Sequence, residues 1–251
     1  MTTSLDGRRI LVTGAATGIG AAAVEVLSSA GARVVGTYHR TSPPDTADVS
    51  WLQCDVRDAA AVDAMVQQAA GQLGGLDVLL HAAGLWQAGI PGQLTGEDID
   101  SLVDTNLKAT VFTNQAAYAV MRGSGGGRII NFGSAESVMG SPISAVYAAT
   151  KGAVSAWTRS AARAWAAENV SVLALAPAVQ TPGADRLRTF LGPDAAGFLD
   201  EQLKSSIPLG GALGDPSRDL GPALVFFCSE GSHFMTGQLV AVDGGLVMLG
   251  G

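Results

Sequence analysis

A doubly wound parallel α/β sheet with helices on both faces is the fold that the sequence predicts. Short β-branched runs alternate with longer Ala-rich stretches, a glycine turn joins the first run to the first helical stretch, and no composition break divides the 251 residues. Arg9–Thr13 reads as the first buried strand and Ile19–Ala30 as the crossover helix behind it. Arg33–Thr37, Asp77–His81, Arg128–Phe132, Val170–Ala176 and Gln238–Val242 repeat the strand pattern. Asp58–Leu73, Asp98–Met121, Ala145–Glu168 and Pro216–Ser229 carry apolar positions every three or four residues, as crossover helices do. The run Gly123–Gly127 falls between a helix and a strand and reads as a turn. One domain, 1–251, is expected. Its least regular stretch, about 178–214, has weak helical pattern around Asp185–Leu191 and Phe198–Leu203 and reads as a mobile substrate lid.

Composition narrows the function. With 47% hydrophobic and 15% charged residues and a mean hydropathy of +0.29, the chain suits a large core rather than disorder. A net charge of −7 leaves no broad basic surface, so nucleic acid is not an expected partner. Cys54 and Cys228 are too few and too far apart for a disulfide scaffold, and no His, Cys or carboxylate motif calls for a metal. No apolar run reaches bilayer length and no signal segment is visible, so no membrane contact and a cytoplasmic location are expected.

Thr13-Gly14-Ala15-Ala16-Thr17-Gly18-Ile19-Gly20 lies at the first strand-to-helix turn. Gly14 permits the tight turn, Gly18 lets backbone approach a pyrophosphate at the positive helix end, and Gly20 lets the helix pack on the strand, as in Rossmann-like sheets. A dinucleotide is the ligand that this turn suits. Tyr147 and Lys151, four residues apart near the start of a helix, share one face. An ammonium beside a phenol favours the phenolate and would bring Tyr147 toward working pH as a general acid or base. Ser134 follows the strand Arg128–Phe132, at the carboxyl edge where such sheets hold ligands, and its hydroxyl could bond a substrate oxygen.

In this combination the chain resembles the short-chain dehydrogenase/reductase family in its form of roughly 250 residues, from Arg8 to Val242-Asp243-Gly244-Gly245. The resemblance makes the glycine turn the cofactor motif, with Gly14, Thr17, Gly18, Ile19 and Gly20 as contacts. Asp55-Val56 becomes the adenine-contact pair, Ala83-Gly84 the end of an Asn-Asn-Ala-Gly motif, and Asn106, Ser134, Tyr147 and Lys151 the catalytic tetrad. It implies that Tyr147 exchanges a proton with the substrate oxygen while Ser134 polarises it, and that the nicotinamide moves the hydride. Lys151 would hold the nicotinamide ribose and lower the tyrosine pKa, and Asn106 would hold a water linking Lys151 to solvent. The alternatives are that Asn106 breaks or caps its helix and that Asp55 caps the next one.

Three departures stand out. The motif reads His81-Ala82-Ala83-Gly84, and His81 at a strand end inside an apolar run reads as a hydrogen-bonded structural histidine. Pro177-Ala178-Val179-Gln180-Thr181 replaces the usual Pro-Gly, which places Thr181 one residue earlier than the family's nicotinamide-amide threonine. Pro177, Val179 and Thr181 remain candidate cofactor contacts. Glu136 either enters the pocket or lies in solvent. The second strand ends Tyr38-His39-Arg40, without the acid that repels a 2′-phosphate. Arg40 with His39 could neutralise that phosphate, so NADP(H) is favoured over NAD(H), although Thr17 stands where many NADP-preferring relatives are basic and Arg40 could be a solvated loop residue.

Trp86 and Ile143, with Leu85, Val138, Met139, Leu187, Phe190 and Phe198, are available to line an apolar cleft for a ketone or secondary alcohol. The apolar helix faces resemble those through which the family forms homotetramers, and the tail Leu246–Gly251 could join such a contact. The competing reading is a catalytically silent dinucleotide-binding regulator of the same fold. A serine hydrolase is excluded because Phe132-Gly133-Ser134-Ala135-Glu136 lacks the Gly-x-Ser-x-Gly elbow.

Overall fold

The computed structural model describes residues 4–44 and 49–249; Gly250 and Gly251 of the tail and Met1–Thr3 at the start lie outside it. Seven parallel strands form one sheet: β1 (Arg9–Thr13), β2 (Arg33–Tyr38), β3 (Val49–Gln53), β4 (Val78–His81), β5 (Gly127–Phe132), β6 (Val170–Pro177) and β7 (Leu239–Val242). Their order is β3-β2-β1-β4-β5-β6-β7. The winding direction reverses between β1 and β4, the switch point outside which such sheets open a crevice.

Alternation along the strands builds a core on each face. Leu11, Leu79, Ile129 and Val172 meet Val62, Met65 and Val66 of α2 (Ala59–Leu73) together with Ala116 and Met121. Ile10, Val12, Leu80, Ile130 and Leu173 point the other way, against Ala23, Val24 and Leu27 of α1 (Gly18–Ser29) and Leu224 and Phe227 near the C-terminus. Burial of each large side chain contributes roughly 1.5–3 kcal/mol. Both faces are covered, which is why the strands read as near-continuous apolar runs.

Two differences from the expected elements have physical causes. β3 escaped the sequence reading because it is an edge strand: of Val49-Ser50-Trp51-Leu52-Gln53 only Leu52 is buried, so its run lacks the apolar continuity of the central strands. The expected helix Asp98–Met121 is α3 (Gly96–Leu102), a π turn (Val103–Lys108) and α4 (Ala109–Met121). Such turns are frequent at functional sites, and this one carries Asn106; another, Pro216–Leu220, opens the expected helix Pro216–Ser229. Downstream come α5 (Glu136–Met139), α6 (Ala145–Trp165), α7 (Pro182–Ser206) and α8 (Gly221–Cys228). The irregular stretch is thus largely helical. α7 breaks at Gly192, whose φ of 77° and ψ of 170° leave the helical region before Pro193, and Arg188 pairs with Asp200 at 2.8 Å across the break.

Candidate active site

A cleft of about 590 Å³ opens at the carboxyl edge of the sheet, running from the glycine turn to Tyr147. Nearly every candidate residue lines it: Gly14, Thr17, Gly18, Ile19, Tyr38, His39, Arg40, Asp55, Val56, Ala83, Gly84, Trp86, Ser134, Tyr147, Lys151, Pro177, Val179 and Thr181. Gly20, Asn106 and Ile143 do not. Gly20 lies behind the turn, and Ile143 spends its carbonyl on Gly89 N–H at 2.7 Å. Of the other apolar candidates Leu85 lines the cleft, whereas Val138, Met139, Phe190 and Phe198 are exposed outside it.

The glycine turn is shaped for a close ligand. Gly14 has φ of +62°, and a Cβ there would fall 2.7 Å from the Ala83 Cα. Gly18 has φ of +56° and faces Pro182 of α7 from across the cleft, 3.1 Å from where its own Cβ would be. Thr17, the N-cap of α1, makes no side-chain capping bond, so the first amides of the helix stay free to receive an anion. These features fit the pyrophosphate of a dinucleotide.

At the far end Asp55 is already paired. Arg57 Nη2 lies 2.6 Å and His39 Nε2 3.6 Å from its Oδ2, and the Arg57 hydrogen bond holds its carboxyl well below the usual range. Asp58, not Asp55, caps α2, accepting from the amides of Ala60 and Ala61. Arg57 was not singled out from the sequence. It stands two residues past the adenine-contact candidate, with only its charge as a signal.

The substrate end gathers Ser134, Tyr147 and Lys151, and here the electrostatics differ from expectation. Lys151 is buried and donates from Nζ to the Phe132 carbonyl at 2.9 Å. Its ammonium lies 5.8 Å from the Tyr147 ring centroid, and burial lowers its pKa to about 8. Tyr147 is pushed up, first by burial and then by the Glu136 charge, with Ser134 and Arg186 acting the other way. The i,i+4 spacing aligns the two side chains on one face, but Lys151 is directed at a main-chain carbonyl, and burial outweighs the groups that favour the phenolate in the free protein. Ser134 Oγ accepts from the Glu136 amide at 3.1 Å. Glu136 is half-buried: one carboxylate oxygen takes the Trp86 indole N–H at 3.2 Å and the other takes the Ser144 hydroxyl.

Asn106 is a clamp. Its Oδ1 accepts from Leu85 N–H at 2.7 Å and its Nδ2 donates to the Leu85 carbonyl at 2.9 Å, which fixes the chain just after Ala83-Gly84. On β5, beside His81 in the sheet, Asn131 exchanges reciprocal side-chain hydrogen bonds with Asn114, 2.9 Å in both directions. His81 is 2% exposed, with Nδ1 hydrogen-bonded to Thr13 Oγ1 at 2.8 Å and Thr113 Oγ1 at 3.1 Å. Burial, aided by the Lys151 charge, lowers its pKa to about 3. The unfolded chain protonates this histidine near 6.5 and the folded one only near 3, so the unfolded state binds more protons between these values and stability falls as the pH drops. Urea denaturation at stepped pH is expected to show a loss of up to about 1.4 kcal/mol per pH unit below 6.5. In His81→Asn the slope above pH 4.5 flattens; an unchanged slope would assign it elsewhere.

Comparison with known proteins supplies the family. The family model described as enoyl-(acyl carrier protein) reductase matches residues 14–247. The short-chain reductase protein NovJ of Streptomyces niveus is 35% identical, the match covering 94% of this chain and 92% of that protein. The 3-oxoacyl-[acyl-carrier-protein] reductase FabG of Vibrio cholerae is 30% identical over 98% of this chain and 100% of its own. Among solved structures, Thermoplasma acidophilum aldohexose dehydrogenase superposes with a TM-score of 0.86 at 25% identity, covering 96% of this chain and 94% of that one. Matched by this family model from residue 14 to 247 and at least 30% identical to these reductases over nearly its whole length, the chain belongs to the short-chain dehydrogenase/reductase family of oxidoreductases, whose members use nicotinamide dinucleotides.

Proposed function

We propose that the protein interconverts a ketone and a secondary alcohol, with Tyr147 transferring the proton. The observation that carries this reading is that Ser134, Tyr147 and Lys151 line the same cleft as the glycine turn. When bound, a nicotinamide cofactor supplies or accepts the hydride. Tyr147, its pKa raised, holds its proton at neutral pH and is ready to donate to a carbonyl oxygen. Ser134 orients that oxygen, and Lys151 holds the ribose hydroxyls. The Asn106 amide is committed to Leu85 and its main-chain carbonyl already accepts the Thr110 hydroxyl at 2.6 Å, so a relay water held by Asn106 would be a second donor to that carbonyl. The start of α7 closes the cleft as part of a lid, and the protein works as a homotetramer, which light scattering would test. Among the described residues no helix is long and apolar enough to cross a membrane.

NADP(H) is the favoured cofactor. Tyr38 stands where an acid would repel a 2′-phosphate, Asp55 is neutralised by Arg57, and Arg40 faces the same end of the cleft. Separate titrations are expected to give NADPH at least about tenfold tighter binding than NADH, the size of one charge-assisted contact. Equal or tighter NADH binding would reverse the assignment. A ketone panel run with the tighter nucleotide then tests the reaction itself.

A further inference from the structure

We propose that Arg186 selects the substrate, and that the ketone or alcohol this protein takes carries a carboxylate. This rests on the redox reading above and names a substrate class for it. Arg186, in the first turns of α7, lines the cleft together with Ser134 and Tyr147. Its Nε donates to the Trp86 carbonyl at 3.1 Å, which ties the guanidinium to the cleft wall. Its two Nη groups have no hydrogen-bond or ion-pair partner among the described residues.

The opposite charge near Tyr147 is Glu136, and it is already committed to the Trp86 indole and the Ser144 hydroxyl. Arg186 shares the cleft with Ser134 and Tyr147, and its charge acts on the Tyr147 phenol against that of Glu136. The other cations of the cleft have different tasks: Lys151 donates to the Phe132 carbonyl and Arg57 pairs with Asp55, while Arg40 stands at the ribose end. In a chain of net charge −7, a cleft lined by Arg40, Arg57, Lys151 and Arg186 against Asp55 reverses the local sign and draws in anions. A planar guanidinium with free N–H edges suits a carboxylate held in bidentate fashion. The same edge would also suit the cofactor's pyrophosphate, because Pro182 abuts Gly18; the experiment separates the two anions.

Wild type, Arg186→Gln and Arg186→Lys are assayed against 3-oxobutanoate, 4-oxopentanoate and 5-oxohexanoate and against their methyl esters. The acid-to-ester ratio of kcat/KM is expected to exceed one in the wild type for at least one chain length. In Arg186→Gln it falls roughly ten- to a hundred-fold, the size of a lost hydrogen-bonded charge contact, and Arg186→Lys recovers part of it. Calorimetric titration of the same acids into the nucleotide-saturated protein reads binding without turnover, and the variant weakens it by the same factor. A ratio unmoved in Arg186→Gln, a wild type that prefers every ester, or no acid binding at all overturns the proposal. So does a loss confined to nucleotide affinity, which assigns the guanidinium to the pyrophosphate. Arg186-dependent binding of the acids without reduction of acid or ester supports the anion site and removes the redox reading.

Discussion

Tyr147→Phe is expected to lower kcat by about a hundred- to ten-thousand-fold, the range that a positioned general acid supplies, while the protein folds and binds its dinucleotide as before. The substitution removes one oxygen and keeps the ring on α6. The titratable groups nearest the phenol each have another partner. His81 is buried against Thr13 and Thr113 and does not line the cleft. Glu136 has both oxygens engaged, and the Lys151 ammonium is held by the Phe132 carbonyl. Steady-state kinetics on any ketone found in the panel gives the loss. Nucleotide titration and urea unfolding, with stability within about 0.5 kcal/mol of wild type, separate it from damage to the fold. Turnover retained in a folded Tyr147→Phe protein would remove the phenol from the reaction. Nucleotide binding without turnover in the wild type across the panel would favour the silent regulator.

Gly20→Ala is expected to cost roughly 1–3 kcal/mol of stability, the range for overpacking, and to weaken nucleotide binding about tenfold or more. Gly20 needs no unusual backbone conformation. The obstacle is contact: a Cβ there would lie 2.2 Å from the Gly14 oxygen, 2.8 Å from the Gly14 carbonyl carbon and 2.9 Å from the Ala15 Cα. All three are backbone, which has no rotamer to change. Relief requires α1 to move off the turn, and that displaces the free amides beyond Thr17 from the place where a pyrophosphate would sit. Thermal unfolding is expected to shift by several degrees, at about 2–4 °C per kcal/mol for a chain of this size. Wild-type nucleotide affinity in Gly20→Ala would show that the turn does not depend on this close packing.

How far the site could be read depended on how local each feature is. Ile10 and Leu11 already alternate between the two faces in the sequence, and the core follows them. β3 could not be read the same way, because an edge strand with one buried residue leaves little apolar pattern. Asn106 was found through its place in a family motif, yet its clamp on Leu85 depends on a π turn that helical periodicity does not reveal. Glu136 was left between pocket and solvent, and Arg186 was not singled out, because both are placed by Trp86, 50 and 100 residues away in the chain.

The amino-acid order by itself determined the strand and helix alternation, the glycine turn and the shared face of Tyr147 and Lys151. Each of these follows from spacing over a few residues, from the period of a strand or helix or the reach of a tight turn. Only the tertiary structure decided that Lys151 turns to a main-chain carbonyl, that Asp55 is neutralised before any ligand arrives, and that the Arg186 guanidinium, tied to the Trp86 carbonyl through Nε, lines the same cleft as the Tyr147 phenol. Burial and charge environment come from segments that meet only when the sheet is assembled, and a side chain's proton affinity is set by that environment.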